Sequence, residues 1–156
     1  MCEIAFMTPL TFRTLRLLAD GEFHSGEAMA RALGVSRATV WNALRGLDDA
    51  GLEIFKVRGR GYRLSQPLAW LDRAAVEREL GAGAQMFALE VLDLSASTNT
   101  MLMERAAGGA ASGSALAAEW QTQGRGRRGR VWHAAPGAAL TFSLLWRFQQ
   151  GAGALS

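Results

Sequence analysis

Apolar residues recur at helical spacing three times in the first fifty positions. Thr8-Pro9 reads as an N-cap followed by proline at the first helical position, and Leu10, Thr14, Leu17 and Leu18 then keep a helical period that Gly21 should stop. Ser25 caps a short second helix with Glu27 in its first turn, where the helix dipole favours negative charge. Ala28, Met29, Ala32 and Leu33 continue it, and Gly34 suits a left-handed C-cap. Ser36 caps a third helix expected to run to about Ala50, where Gly51 closes it. Val40, Leu44 and Leu47 form its core stripe, while Arg37, Asn42 and Arg45 lie off that stripe. Residues 53–57 and 62–65 read as two strands joined by the hairpin tip Arg58-Gly59-Arg60-Gly61.

Pro67 marks a boundary. The pattern predicts an amphipathic helix over 68–80, with Leu71, Ala75, Val76 and Leu80 inside and Arg73, Glu77 and Arg78 outside. Gly81-Ala82-Gly83 ends it, and 86–94 follows as a strand. Thr98 or Asn99 would cap a helix over 101–107, and 115–120 reads as a buried strand. Leu140, Phe142, Leu144, Trp146 and Phe148 alternate with more polar residues, so this strand has one strongly apolar face. Such a face at a sheet edge needs a cover. The pattern divides the chain into 1–66, a connector with a helix over 67–83, and a second module over 84–156.

Composition narrows the class. The chain has 156 residues, 49% apolar and 20% charged, with no run able to span a bilayer. Met1-Cys2-Glu3-Ile4 lacks the basic start of a signal peptide, and the single Cys2 excludes an internal disulfide or a cysteine zinc cluster. These features point to the cytoplasm, away from membranes, and no spacing suggests a protein-held metal. The net charge of +3 is small but gathered in two places. Lys56, Arg58, Arg60 and Arg63 form one acid-free cluster; Arg125, Arg127, Arg128 and Arg130 form the other. Two local patches fit two anionic partners better than one diffuse basic surface would.

The first patch follows a helix, a glycine turn and a helix with polar N-terminal residues, the helix-turn-helix pattern, and a basic hairpin after it is a wing. Arginine and asparagine pair with guanine and adenine edges. Arg37, Asn42, Arg45, Arg58 and Arg60 are therefore the DNA-binding candidates. For the helices alone, a three-helix bundle with a solvated third helix fits equally well. In the second patch, Gly124 to Arg130 packs three glycines and four arginines into seven residues between Trp120 and Trp132. Glycines let backbone N–H groups turn inward around an anion, and arginine forks match carboxylate and phosphate oxygens. A solvated basic loop or a nucleic-acid arm is the plainer alternative. Isolated tryptophans are usually core, but one of this flanking pair is placed to line a pocket. His133 reads as a surface or hydrogen-bonded histidine.

The loop Gly124 to Gly129, with Ser97-Thr98-Asn99 upstream, Gln121 just ahead and the strand Leu140 to Arg147 behind, resembles the biotin protein ligases. With the helix-turn-helix it resembles the two-function members, the biotin operon repressors. The resemblance implies an α+β chain: a winged helix-turn-helix followed by an incomplete mixed sheet with flanking helices, of the biotin/lipoate-ligase, class II synthetase-like kind. It implies ATP-dependent conversion of biotin to biotinyl-AMP, transfer to a lysine of biotin carboxyl-carrier protein, and Mg²⁺ with the ATP. Ser97, Thr98, Asn99, Gln121, Arg125, Gly126 and Arg127 would hold biotin and the adenylate, with Arg125 and Arg127 as the catalytic charges. The loaded form would dimerise and bind operator DNA. The family's active-site lysine lies further on, whereas the only lysine here is Lys56, so the chain reads as the front part of a longer protein, inactive by itself as a ligase. The rival is a ligand-sensing winged-helix regulator without catalysis.

Overall fold

The computed structural model describes residues 7–148; Cys2 with the rest of 1–6, and the stretch 149–156, lie outside the described residues. Helix α1 (Pro9–Leu17) starts with a reciprocal cap in which Thr8 Oγ1 accepts the Thr11 N–H at 3.2 Å and Thr11 Oγ1 accepts the Thr8 N–H at 3.3 Å. Helix α2 (Gly26–Leu33) is capped by Ser25, whose hydroxyl accepts the Ala28 N–H at 3.1 Å, and ends at Gly34 with φ 68°. Helix α3 (Arg37–Leu44) is capped by Ser36, which accepts the Thr39 N–H at 3.1 Å. These caps satisfy helix donors that would otherwise have no partner.

Helix α3 ends at Leu44, short of the expected Ala50. Arg45 is extended and Gly46 takes φ 81°, after which Leu47–Ala50 form a 3₁₀ turn closed by Gly51. Glycine makes the left-handed step at 46 nearly free. The turn still drops Leu47 into the core, which is why the apolar stripe reads continuously through the break. Strands β1 (Ile54–Val57) and β2 (Gly61–Leu64) form the antiparallel wing. His24 extends it, exchanging backbone hydrogen bonds with Tyr62 at 2.8 and 2.9 Å. Phe12, Leu15, Leu18, Met29, Val40 and Leu47 are fully buried and tie the helices together.

The helix expected over 68–80 is shorter. Helix α4 (Arg73–Leu80) begins only after Asp72, whose carboxylate accepts the Ala74 N–H at 2.8 Å. Leu68 and Trp70 instead pack on the N-terminal core, with Trp70 edge-on to Phe12 at 6.2 Å between ring centroids. The apolar side of α4 finds little to cover it: Val76 and Leu80 are exposed. A 3₁₀ turn, Gly81–Met86, replaces the start of the expected strand, and β3 covers Ala88–Ser95.

Helix α5 (Thr98–Ala107) starts earlier than expected because Ser97, rather than Thr98 or Asn99, is its cap. Strand β4 (Ser114–Gln121) runs parallel to β3, so α5 is the crossover that such a pair requires. Strand β5 (Phe142–Leu144) pairs antiparallel with β4 and closes a mixed sheet in the order β3-β4-β5. It is shorter than the alternating run 140–148, and its apolar side chains are largely open to solvent: Phe142 is 54% exposed and Leu144 43%. The whole is an α+β fold, a winged helix-turn-helix followed by a mixed sheet with flanking helices. The two parts share a core. Trp120 of β4 is 2% exposed within the N-terminal cluster, and Arg16 of α1 pairs with Asp93 of β3.

Candidate functional site

The turn from β3 into α5 and the end of β4 lie side by side, because parallel register sets Ser95 opposite Gln121. The Gln121 carbonyl oxygen accepts the Thr98 N–H at 2.7 Å and the Thr98 hydroxyl at 3.0 Å. Having donated its only proton there, the Thr98 hydroxyl must accept the one from Ser143, 2.9 Å away on β5. The chain of bonds fixes the Gln121 amide and leaves its N–H₂ group as a donor. Ser97 and Thr98 are buried and Asn99 is exposed.

These residues border an open cleft of about 580 Å³, with Arg125, Trp132, Met103, Phe142 and Ser143 among its other walls. Apolar walls with a few fixed polar groups suit a small organic molecule. Helix α5 adds the positive end of its dipole, with the Thr98 and Thr100 N–H groups already taken by Gln121 and Ser97. Ser143 and Thr141 are site residues that the sequence reading passed over. Their signal was the polar half of the alternating strand.

Residues 124–132 form a small hairpin. Trp132 donates to the Gly124 carbonyl at 2.8 Å and Gly126 to that of Arg130 at 2.7 Å. Gly124 is buried, and a Cβ there would overlap the Trp132 carbonyl oxygen. At the tip, Arg128 takes φ 60°, a left-handed conformation that non-glycine residues rarely adopt. Arg125, at the base, reaches the cleft, whereas Arg127 sits at the tip with Arg128 and Arg130 around a separate hollow. The structure thus gathers Ser97, Thr98, Asn99, Gln121 and Arg125 but does not bring Arg127 to them; Gly126 lies between. Of the two tryptophans, Trp132 lines the cleft and Trp120 is core, stacked on His133 at 5.7 Å.

At the other end of the molecule, Arg37, Lys56 and Arg58 line a second cleft of about 510 Å³, between the wing and the start of α2. Asn42 and Arg45 are exposed, but Arg45 sits just past the end of α3 rather than within it. Trp41 lies between Arg37 and Arg45 at helical spacing, 40% exposed, with the Arg45 guanidinium and the Lys56 ammonium each 5.5 Å from its ring centroid. Arg60 is laid over Phe23 at 4.1 Å.

Residues 11–63 match the model of an HTH domain, and residues 91–154 match that of the Biotin/lipoate A/B protein ligase family. The chain is 44% identical over 146 residues to the bifunctional ligase/repressor BirA of Salmonella typhimurium, across 94% of its own length. Over most of its own length the chain is similar to the biotin ligase/repressor proteins. The corresponding Escherichia coli protein is 42% identical over 91% of the chain. A biotin–[acetyl-CoA-carboxylase] ligase of Mycobacterium tuberculosis is 42% identical over 53% of the chain and 30% of its own length. The chain spans 43% of the length of the two BirA relatives. Among the described residues, no helix is long and apolar enough to cross a membrane.

Proposed function

We propose that the chain carries the biotin- and adenylate-binding part of a biotin–protein ligase, joined to a winged helix that binds operator DNA. The observation that supports this best is the Thr98–Gln121–Ser143 network facing Arg125 across one cleft. In this reading Ser97, Thr98, Asn99 and Gln121 hold biotin, with the Gln121 N–H₂ group meeting its polar groups. Arg125 draws the biotin carboxylate and the ATP α-phosphate together, and the carboxylate oxygen attacks phosphorus as pyrophosphate leaves. The product is biotinyl-AMP, a mixed anhydride that must be shielded from water until a carrier-protein lysine attacks its acyl carbon and releases AMP. For Arg127 to join, the hairpin tip must fold over the cleft, a motion suited to a glycine-rich loop.

Mg²⁺ is expected as the companion of ATP. Among the described residues no group of three or more His, Cys, Asp or Glu is gathered. Arg37, Asn42, Arg45, Arg58 and Arg60 face DNA, joined by Lys56. The biotin carboxyl-carrier protein is the acceptor, and the adenylate-loaded form pairs with a second copy to match a two-part operator. The setting is the cytoplasm. The working division is 1–66 for DNA, 67–83 as connector and 84–156 for the ligase part.

A second reading is a ligand-sensing regulator without catalysis, since the cleft would hold a ligand in either case. Biotin-dependent exchange of pyrophosphate into ATP separates the two. The cleft itself is tested by calorimetric titration with a non-hydrolysable biotinyl-AMP analogue. Gln121→Ala leaves Thr98 without its acceptor and removes a ligand donor, so binding should weaken by about tenfold or more. Equal affinity in this variant would take Gln121, and the cleft with it, out of the ligand site.

A further inference from the structure

The arginine hairpin is held at its two ends by different parts of the molecule. Its entry limb is tied to the β3–α5 turn: Thr122 and Gln123 donate to the Ser95 and Ala96 carbonyls at 2.9 and 2.8 Å. Its exit limb runs onto the N-terminal module. His133 stacks on Trp120, Ala135 packs against the N-terminal core beside Gly51, and Pro136 is fully buried. Gly137 lies so close to Leu68 and Ala69 that a Cβ would sit 2.6 Å from Leu68 Cδ2.

One side chain joins these pieces. Glu119 is 4% exposed and stands two positions before Gln121 in β4. Its carboxylate accepts the Leu71 N–H at 2.5 Å and lies near enough to the backbone N–H of Gly137 for that amide to favour its charged form. Leu71 closes the stretch in which Leu68 and Trp70 pack on the N-terminal core. A carboxylate withdrawn from water is costly unless its oxygens are bonded. Burial accordingly pushes this carboxyl above its usual range, against the pull of the Leu71 and Gly137 amides and of Arg16.

We propose that Glu119 is a positioning residue that pins the exit limb of the arginine hairpin to the connector of the N-terminal module, so that the seating of the module sets the stance of the hairpin over the cleft. The consequence for adenylate handling rests on the proposed function; the mechanical link belongs to the unliganded chain. It is tested without ligand, on the whole chain, by hydrogen exchange and by tryptic cleavage after Arg125, Arg127, Arg128 and Arg130. Glu119→Gln keeps the shape but turns an N–H₂ group toward one of the two N–H donors. Gly137→Ala breaks the same junction from the other side, by overlap with Leu68 at φ +72°.

Both variants should speed cleavage in the hairpin about tenfold, while amide exchange at Val40 and Leu116 stays as in the unmodified chain. Freed Leu71 and Gly137 amides in Glu119→Gln, with hairpin cleavage at the unmodified rate, would overturn the proposal. Faster cleavage together with no binding of the adenylate analogue by the unmodified chain would remove the ligand reading of the cleft and leave the link supported.

Discussion

Replacing Trp120 by alanine should lower the stability of the chain by about 3–5 kcal/mol, the usual cost of emptying a buried aromatic site. Trp120 is 2% exposed, belongs to β4, and packs in the same cluster as Phe12, Leu15 and Leu18 of the N-terminal helix and turn. The cavity would open where the two modules meet and one residue from Gln121. Loss should therefore register in both parts at once, as a single denaturant transition at a lower midpoint by circular dichroism. Trp120→Phe is the control. The indole N–H is buried without a partner, so phenylalanine keeps much of the apolar contact and removes an unsatisfied donor. It should cost far less than alanine. An unmodified chain that unfolds in two separate steps, with the N-terminal step untouched by Trp120→Ala, would show that the shared core does not couple the modules.

Binding of DNA should fall about 150-fold when salt is raised fourfold. The estimate takes about four phosphates neutralised, a slope near −3.6 in log affinity against log salt. The candidates for those contacts are Arg37, Lys56 and Arg58, which share the cleft beside the wing, and Arg45, exposed at the end of α3. Arg60 is less free, since its guanidinium is laid over Phe23. Arg58→Ala should flatten the slope by about one unit on every sequence alike, as a phosphate contact does. Arg45→Ala should alter sequence preference or register. A gel-shift titration in which affinity hardly moves with salt would remove these arginines from the DNA-facing surface.

Much of the framework was legible because its determinants are local. Thr8, Ser25 and Ser36 each cap a helix with their own hydroxyl, and Gly34 supplies the left-handed end between them, so four neighbouring residues suffice to read each feature. Where neighbours in space decide, the sequence misled. The amphipathic run 68–80 is real, but Leu68 and Trp70 are drawn onto the N-terminal core and leave the helix to begin after Asp72. Gly46 ends α3 while Leu47 keeps the apolar stripe, so the break is invisible to periodicity. The site shows the same division. The triplet Ser97-Thr98-Asn99, Gln121 and Arg125 stood out by type and order, and the fold gathers them around one cleft. Ser143 did not stand out, because the strong alternation of its strand drew attention to Phe142 and Leu144. Those apolar residues are exposed, Phe142 at the edge of the cleft, and the modest polar half of the strand supplies the hydroxyl that meets Thr98.

Hydrogen-exchange footprints of the chain, taken once with the biotinyl-AMP analogue and once with operator DNA, test the central claim most directly. The analogue should slow exchange at residues 97–99, at Gln121 and through the hairpin 124–132, while DNA slows it at 37–45 and 56–60. Protection by the analogue confined to the wing cleft, or none at residues 97–99 and Gln121, would contradict the account.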